Sequence, residues 1–234
     1  MESRDNCGVC GKPLVYGTEQ VIRRCDFCGK DFPTLIYCPE GHYVCDACHS
    51  RGALDILREV LSKTKSTDPS EILELVMSHP AVPMHGPEHH FLVPAVLISA
   101  YCNLLKDPYK KTKIEIAKQR AEKVPGGFCG THGNCGAGVG NGIFISVITK
   151  STPLAKEEWS LSNQITGRSL LSIAEHGGPR CCKRDVYLSL TEAISFLKEK
   201  FNLTLESQEI VCQFSAFNKE CLHEDCIFHS QFLS

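Results

Sequence analysis

The sequence has little excess charge of either sign and no long apolar run. Its 25 basic and 27 acidic side chains leave a formal net charge of −2, which gives no electrostatic footprint for nucleic acid or an anionic membrane. No apolar stretch approaches the roughly 20 residues that a membrane-spanning helix needs. The N-terminus, MESRDNCGVC, does not resemble a secretory signal. We therefore expect a cytoplasmic protein without nucleic-acid or membrane partners.

Motifs of nucleotide-dependent enzymes and metalloproteases are also missing. There is no P-loop and no dinucleotide fingerprint, and HGPEHH at residues 85–90 is the nearest approach to the HExxH pattern. A hydrolase with metal-bound water would need an open metal site and a general base, for which Glu88 beside His85 and His89 is the one suitable set. The sequence leaves open whether the chain is an enzyme.

Cysteine, in contrast, is abundant. Disulfides are rare in the cytoplasm, so the 15 cysteines of this chain indicate metal ligands or redox thiols. Eight ligands come in four close pairs near the N-terminus, and eight soft ligands make two tetrahedral zinc sites. The pairs are Cys7 with Cys10, Cys25 with Cys28, Cys38 with His42, and Cys45 with Cys48.

Two of these pairs lie in glycine-containing turns, CGVCGK and CDFCGK, and the last pair opens a predicted helix. A turn combined with a helix N-terminus is a treble-clef arrangement, and the module resembles cross-brace folds such as RING, although the order of its ligands differs. We favour crossed pairing, in which the first and third pairs bind one ion and the second and fourth pairs bind the other. Sequential pairing is the alternative. A module with so little apolar sequence depends on metal to fold.

The rest of the chain predicts a mainly α protein with a bundle-like helical body. Apolar residues recur every three or four positions over residues 52–63 and 69–78, and residues 91–105 are apolar on nearly every face. Alternation over residues 203–212 predicts a short strand. The expected organisation is a double zinc-binding module (1–50), a helical body rich in Cys, His and Gly (51–203) and a Cys-rich tail (204–234).

Two cysteine-containing segments of the body each precede a predicted helix. One is the glycine-rich stretch 126–142, which we expect to be a loop, and the other is EHGGPRCC. We predict that Cys135 meets Cys181 and Cys182 in space as the reactive residues, because two intervening helices return the chain to the same end of a bundle. Helix N-termini would lower the pKa of these thiols. The further cofactor ligands predicted here are Cys102, Cys129, His132, His85, His89 and His90.

The pattern of Cys102, CGAGVGNG and a later cysteine resembles a redox family named for its C…GCAxxG…C…C pattern. The match covers roughly residues 90–200 and carries Cys102, Cys135, Gly136, Ala137, Gly140 and one of Cys181 or Cys182. It departs from the family in having Asn134 before Cys135. The resemblance implies a small helical protein that binds metal or performs redox chemistry. The whole chain also resembles an uncharacterised family of anaerobic prokaryotes, some of whose members are joined to S-adenosylmethionine methyltransferases.

The tail holds three further candidate ligands, Cys212, Cys221 and Cys226, with His223 or His229 as a fourth. Three cysteines and a histidine suit zinc, and cysteines alone suit an iron–sulfur cluster. The sequence thus predicts a metalloprotein that zinc stabilises at its N-terminus and that has a cysteine-ligated redox or sulfur-handling centre in its helical body. An iron–sulfur cluster is one candidate for that centre. The alternative is a non-catalytic adaptor for a partner enzyme such as a methyltransferase. A protein redox partner fits the first prediction.

Overall fold

The computed structural model describes residues 7, 12–25, 29–79 and 82–229, with the side chains of residues 48–51 outside that description. These residues form eight helices and one two-stranded sheet, so the prediction of a mainly α protein is confirmed. The helices are α1 Asp46–Lys63, α2 Pro69–Met77, α3 Glu88–Leu105, α4 Lys110–Ala121, α5 Phe128–Thr131, α6 Gly136–Ile148, α7 Glu157–Glu175 and α8 Cys182–Phe201.

Helix α3 is the centre of the molecule. Every residue from Phe91 to Ala100 is buried, as expected for a helix that is apolar on all faces. It packs against α1, α2, α4, α6 and α8. The fold therefore surrounds α3 with neighbours on every side, and the N-termini of several helices reach the same end of the body.

Helix α6 comes close to α3 because its first residues are small. A Cβ atom added at Gly136 would collide with the ring of His90, and one added at Gly140 would lie 2.9 Å from Cδ of Pro94. The sequence predicted a loop as far as Gly142, but the helix begins at Gly136. The second half of the glycine-rich stretch is therefore helical, since tertiary packing outweighs the poor helix propensity of glycine.

The sheet is an antiparallel hairpin of β1 Val15–Arg24 and β2 Asp31–Tyr37. The strands end beside the cysteine-containing turns, and β2 leads through one such turn into α1. Helix α1 begins at Asp46 and runs across residue 50, where the sequence analysis placed a domain boundary. The hairpin and the helix together position the N-terminal ligands.

The tail does not form the strand predicted for residues 203–212, so that prediction is wrong. The segment has no regular structure, and it lies against the start of α2, where the amide of Gln208 donates to the side chains of Asp68 and Ser70. Two 3-10 turns, Ser215–Phe217 and His223–Asp225, follow. The Gln208 amide thus finds its hydrogen-bond acceptors in side chains at the start of α2, and not in a neighbouring strand.

Among the described residues, no helix is both long enough and apolar enough to span a bilayer.

Candidate functional site

The first group of candidate ligands lies in the N-terminal region. One ligand atom from each of Cys7, Cys38 and His42 lies within 4.8 Å of the others, and both thiols are buried. We call these three residues the N-terminal ligand group. Crossed pairing assigns the same three residues to one ion; its fourth ligand, Cys10, lies outside the described residues. The group could hold a metal ion.

A tight turn around the Cys38 sulfur explains how this group is built. The amide of Glu40 donates to Sγ of Cys38 at 3.4 Å, and the amide of Gly41 donates to the Cys38 carbonyl at 3.0 Å. Gly41 has φ of +89°, in the region that favours glycine. The turn therefore directs the backbone N–H of Glu40 towards the sulfur, while the N–H of Gly41 closes the turn at the Cys38 carbonyl.

A second pair of N-terminal cysteines also meets. The amide of Cys45 donates to Sγ of Cys25 at 3.4 Å, and both residues are buried. Crossed pairing assigns these two cysteines to the second ion. Its other predicted ligands, Cys28 and the side chain of Cys48, lie outside the described part of the chain.

In the body, the starts of α3, α6 and α8 come together. Cys135 is the N-cap residue of α6, and the ring of His90 in the first turn of α3 packs against the neighbouring Gly136. Cys182 is the first residue of α8, and its sulfur lies near the backbone of Gly86, just before α3. Three positive helix ends therefore face one region.

Two cysteines from different helices meet in this region, together with a third. The Cys182 thiol lies within electrostatic range of both Cys135 and Cys129, and Sγ of Cys135 lies 3.5 Å from Oδ2 of Asp185. We call Cys129, Cys135 and Cys182 the inner thiol group. The structure thus places Cys135 and Cys182 in the same region of the body, and their joint role in a reactive centre stays a prediction.

The expected low thiol pKa is wrong for Cys135 and Cys182. Burial raises the pKa of Cys135 far above its ordinary value and that of Cys182 to about 12. The amides of Ala137 and Gly138 act in the opposite direction on Cys135, but with a smaller effect. Burial also raises the pKa of the Asp185 carboxyl to about 6. Desolvation therefore outweighs the helix ends at Cys135 and Cys182, and these two metal-free thiols are protonated and poorly nucleophilic.

Two of the predicted histidines lie beside the inner thiol group. Burial lowers the pKa of both, so the imidazoles are neutral. Nδ1 of His89 is 3.1 Å from the Gly86 carbonyl, and Nδ1 of His90 is 3.1 Å from the Val124 carbonyl. If Nδ1 carries the proton and donates it, Nε2 presents a lone pair, as in metal-binding histidines. Nε2 of His89 has no hydrogen-bond partner among the described residues.

Cys181 faces away from the inner thiol group and towards the tail. It lines a cavity with the three tail cysteines, and the Cys212 thiol lies within electrostatic range of the other three. We call Cys181, Cys212, Cys221 and Cys226 the tail cysteine group. The structure thus places Cys181 beside the tail cysteines, and its participation in a centre with Cys135 stays a prediction. Cys181 lines the cavity where His223 or His229 was expected, and neither histidine does so.

A model for a family of unknown function, DUF5714, matches residues 57–229. The chain belongs to the DUF5714 family. The match bears out the expectation of an uncharacterised family, and it includes both cysteine groups of the body, whereas the N-terminal ligand group precedes it. No curated protein and no solved structure matches the chain significantly.

Three predicted ligands of the DUF5714 body lie apart from the inner thiol group. Cys102 follows His90 by 12 residues in α3, which places it about 18 Å further along the helix axis, near Lys113. His132 is exposed and stacks on Phe128, with ring centres 4.1 Å apart. His85 turns to the tail, where its Nε2 lies 3.2 Å from Oδ1 of Asn218. These residues were predicted as ligands only because they lie close to the other candidates in the sequence or match the resembled family.

Sequence reasoning missed two charged residues of the DUF5714 body. Asp185 contacts Cys135, and Lys183 is buried within electrostatic range of Cys181 and Cys182. Asp185 follows Cys182 by three residues, a spacing that places both on one face of a helix. From that spacing, the sequence could have predicted that Asp185 lies beside Cys182. The burial of Lys183 could not be predicted from the sequence, because a lysine at a helix start is ordinarily exposed.

Proposed function

We propose that this DUF5714 protein is a metalloprotein with a cysteine-ligated redox or sulfur-handling centre at the inner thiol group. The observation that carries the proposal is the meeting of Cys135 and Cys182 at the starts of two helices, beside the Asp185 carboxyl. The residues come from sequence positions about 50 apart, so the fold itself assembles the group.

The donor set supports binding of a soft or borderline metal. Thiols select zinc, copper(I) and iron–sulfur centres, and imidazole suits zinc, copper and iron. Around the inner thiol group, His89 and His90 each have one ring nitrogen against a backbone carbonyl, and this contact orients a ligating imidazole. A metal would also replace thiol protons that burial otherwise retains.

The N-terminal ligand group supports a second part of the proposal, which is structural zinc. Thiolates at about 2.3 Å from a tetrahedral zinc ion lie about 3.8 Å from one another. Cys7, Cys38 and His42 meet this spacing within a small adjustment, since their ligand atoms lie within 4.8 Å of one another. Zinc would therefore stabilise the hairpin and the start of α1, with a second ion at Cys25 and Cys45.

The test is metal analysis of the full chain purified without oxygen. Cys135→Ala and Cys182→Ala should each lose metal relative to the parent. Cys102→Ala is the matched control, because Cys102 is a buried cysteine outside both body groups. Wild-type metal content and unchanged thiol accessibility in both test variants would contradict a centre at this place.

A non-catalytic adaptor is the second candidate, and exposed apolar side chains favour it. Trp159 and Leu171 of α7 are 51% and 65% exposed, and each is available for contact with a partner enzyme. An adaptor of this kind would hold zinc at the N-terminus and nothing in the body. The anaerobically purified protein would then be colourless, whereas an iron–sulfur protein is brown.

A further inference from the structure

We infer that the tail cysteine group binds an iron–sulfur cluster, with Cys181 of the body as its fourth ligand. The inference deepens the proposed metalloprotein function, but it depends on different residues from the inner thiol group. It therefore stands or falls by separate variants.

The fold joins ligands that are far apart in sequence. Cys181 is the N-cap residue of α8, and the chain returns from the end of α8 along α2 to bring the tail beside it. The amide of Cys212 donates to the Phe228 carbonyl at 2.8 Å, which closes the tail into a loop. His85 and Asn218 attach this loop to the segment before α3.

The sulfurs already accept backbone hydrogen bonds. Sγ of Cys212 accepts from the amide of Phe214 at 3.4 Å, and Sγ of Cys221 accepts from the amide of His223 at 3.3 Å. Both bonds come from the residue two positions later, as for Cys38 in the N-terminal ligand group. Sγ of Cys181 accepts from Arg184 at 3.5 Å. Such bonds to sulfur also tune the reduction potential of a cluster.

The sulfurs of the tail cysteine group are not arranged around a single zinc ion. A mononuclear zinc site needs thiolates about 3.8 Å apart. In the described part of the chain, the N-terminal ligand group alone has three ligand atoms mutually within 4.8 Å, so no three sulfurs of the tail cysteine group are that close. In a four-iron cluster each cysteine binds a different iron, so the four sulfurs need not approach one another that closely.

The surroundings of the four cysteines also fit a cluster. The cavity between them is partly open to solvent, and Tyr187, Phe214 and Phe228 form part of its wall. Lys183 places its ammonium group 4.5 Å from the centre of the Phe214 ring, and Arg184 also lines the cavity. Two positively charged side chains therefore lie where they would balance the negative charge of a thiolate-bound cluster.

The test uses the full chain, purified without oxygen and reconstituted with ferrous iron and sulfide. Iron, labile sulfide, visible absorption and the electron paramagnetic resonance of the reduced protein are measured. We expect the wild type to bind about four irons and four sulfides at this site. Cys212→Ala and Cys221→Ala should lose that cluster, and Cys102→Ala should keep it. Cys221 is half-buried in a loop, so its variant should keep the helical far-ultraviolet spectrum even if Cys212→Ala unfolds.

Cys135→Ala distinguishes this inference from the proposed function. A cluster that survives in Cys135→Ala and is lost in Cys221→Ala supports the tail site. The reverse pattern overturns the tail site and leaves the inner centre intact. A wild-type protein that takes up zinc but neither iron nor sulfide after reconstitution also overturns the inference.

Discussion

The close contact between α3 and α6 predicts that Gly140→Ala destabilises the fold, and the distances at this contact set the expected loss of stability. An alanine Cβ at position 140 would lie 2.9 Å from Cδ of Pro94, 3.0 Å from Cβ of Val93 and 3.2 Å from the His90 carbonyl oxygen. Carbon atoms ordinarily pack about 3.5–4.0 Å apart. These neighbours are backbone, a proline ring and a β-branched carbon, so none of them can rotate away. Gly140→Ala therefore forces the two helices apart.

The expected net cost is about 2 kcal/mol of unfolding free energy. Overpacking of a core costs about 1–3 kcal/mol, and the rigid neighbours place Gly140→Ala near the upper end. Replacing glycine by alanine within a helix returns about 1 kcal/mol. For a chain of this size, each kcal/mol shifts the melting temperature by about 2–4 °C, so we expect a decrease of about 4–8 °C.

Gly167→Ala is the matched control for this prediction. Gly167 lies within α7, is exposed, and has no atom within 4 Å of an added Cβ. Alanine there should raise the unfolding free energy by about 1 kcal/mol and the melting temperature by about 2–4 °C. Thermal unfolding followed by far-ultraviolet circular dichroism, with equal metal loading, measures both variants. If Gly140→Ala also raises the melting temperature, the close approach of α3 and α6 at this residue is refuted.

Three further predictions concern other parts of the molecule. Cys38→Ala should abolish zinc binding at the N-terminal ligand group and expose the hairpin to proteolysis, while the helical spectrum of the body persists; zinc content equal to wild type would contradict this. Asp68→Ala should lower the unfolding free energy by about 1 kcal/mol, because the Asp68 carboxylate accepts the amides of Ser70 and Glu71; denaturant unfolding against Asp55→Ala, an exposed aspartate within α1, is the measurement. Asn141→Ala should cost about 1–3 kcal/mol, since its buried amide joins α6 to α7 and α8; a stability equal to wild type would contradict that role.

Elements set by local chemistry could be predicted from the sequence. Asp68 followed by Pro69 is a sequence pattern typical of a helix start, and in the structure the Asp68 side chain accepts two amides at the start of α2. The apolar run after His90 likewise predicted the buried helix α3. Both features depend on residues within a few positions of one another, so the sequence contains the whole cause.

The arrangement of the body cysteines could not be predicted in full, because it depends on distant contacts. Cys181 and Cys182 are adjacent, and both were assigned to a centre with Cys135. Successive residues at a helix start point about 100° apart, so one thiol faces Cys135 while the other faces the tail. The packing of α8 between α6 and the tail decides which of the two thiols points towards Cys135 and which points towards the tail. Burial, which reverses the expected pKa shift of Cys135, also depends on packing.

The divergence of Cys181 and Cys182 has a thermodynamic consequence. One peptide bond joins a ligand of the tail cysteine group to a member of the inner thiol group, and the next residue, Lys183, interacts electrostatically with both. Occupancy of one site changes the charge and the backbone position that the other site experiences. Linkage then requires each site to alter the affinity of the other by the same factor. If both proposed sites bind metal, the first turn of α8 would couple them, and the binding constant of each would depend on the occupancy of the other.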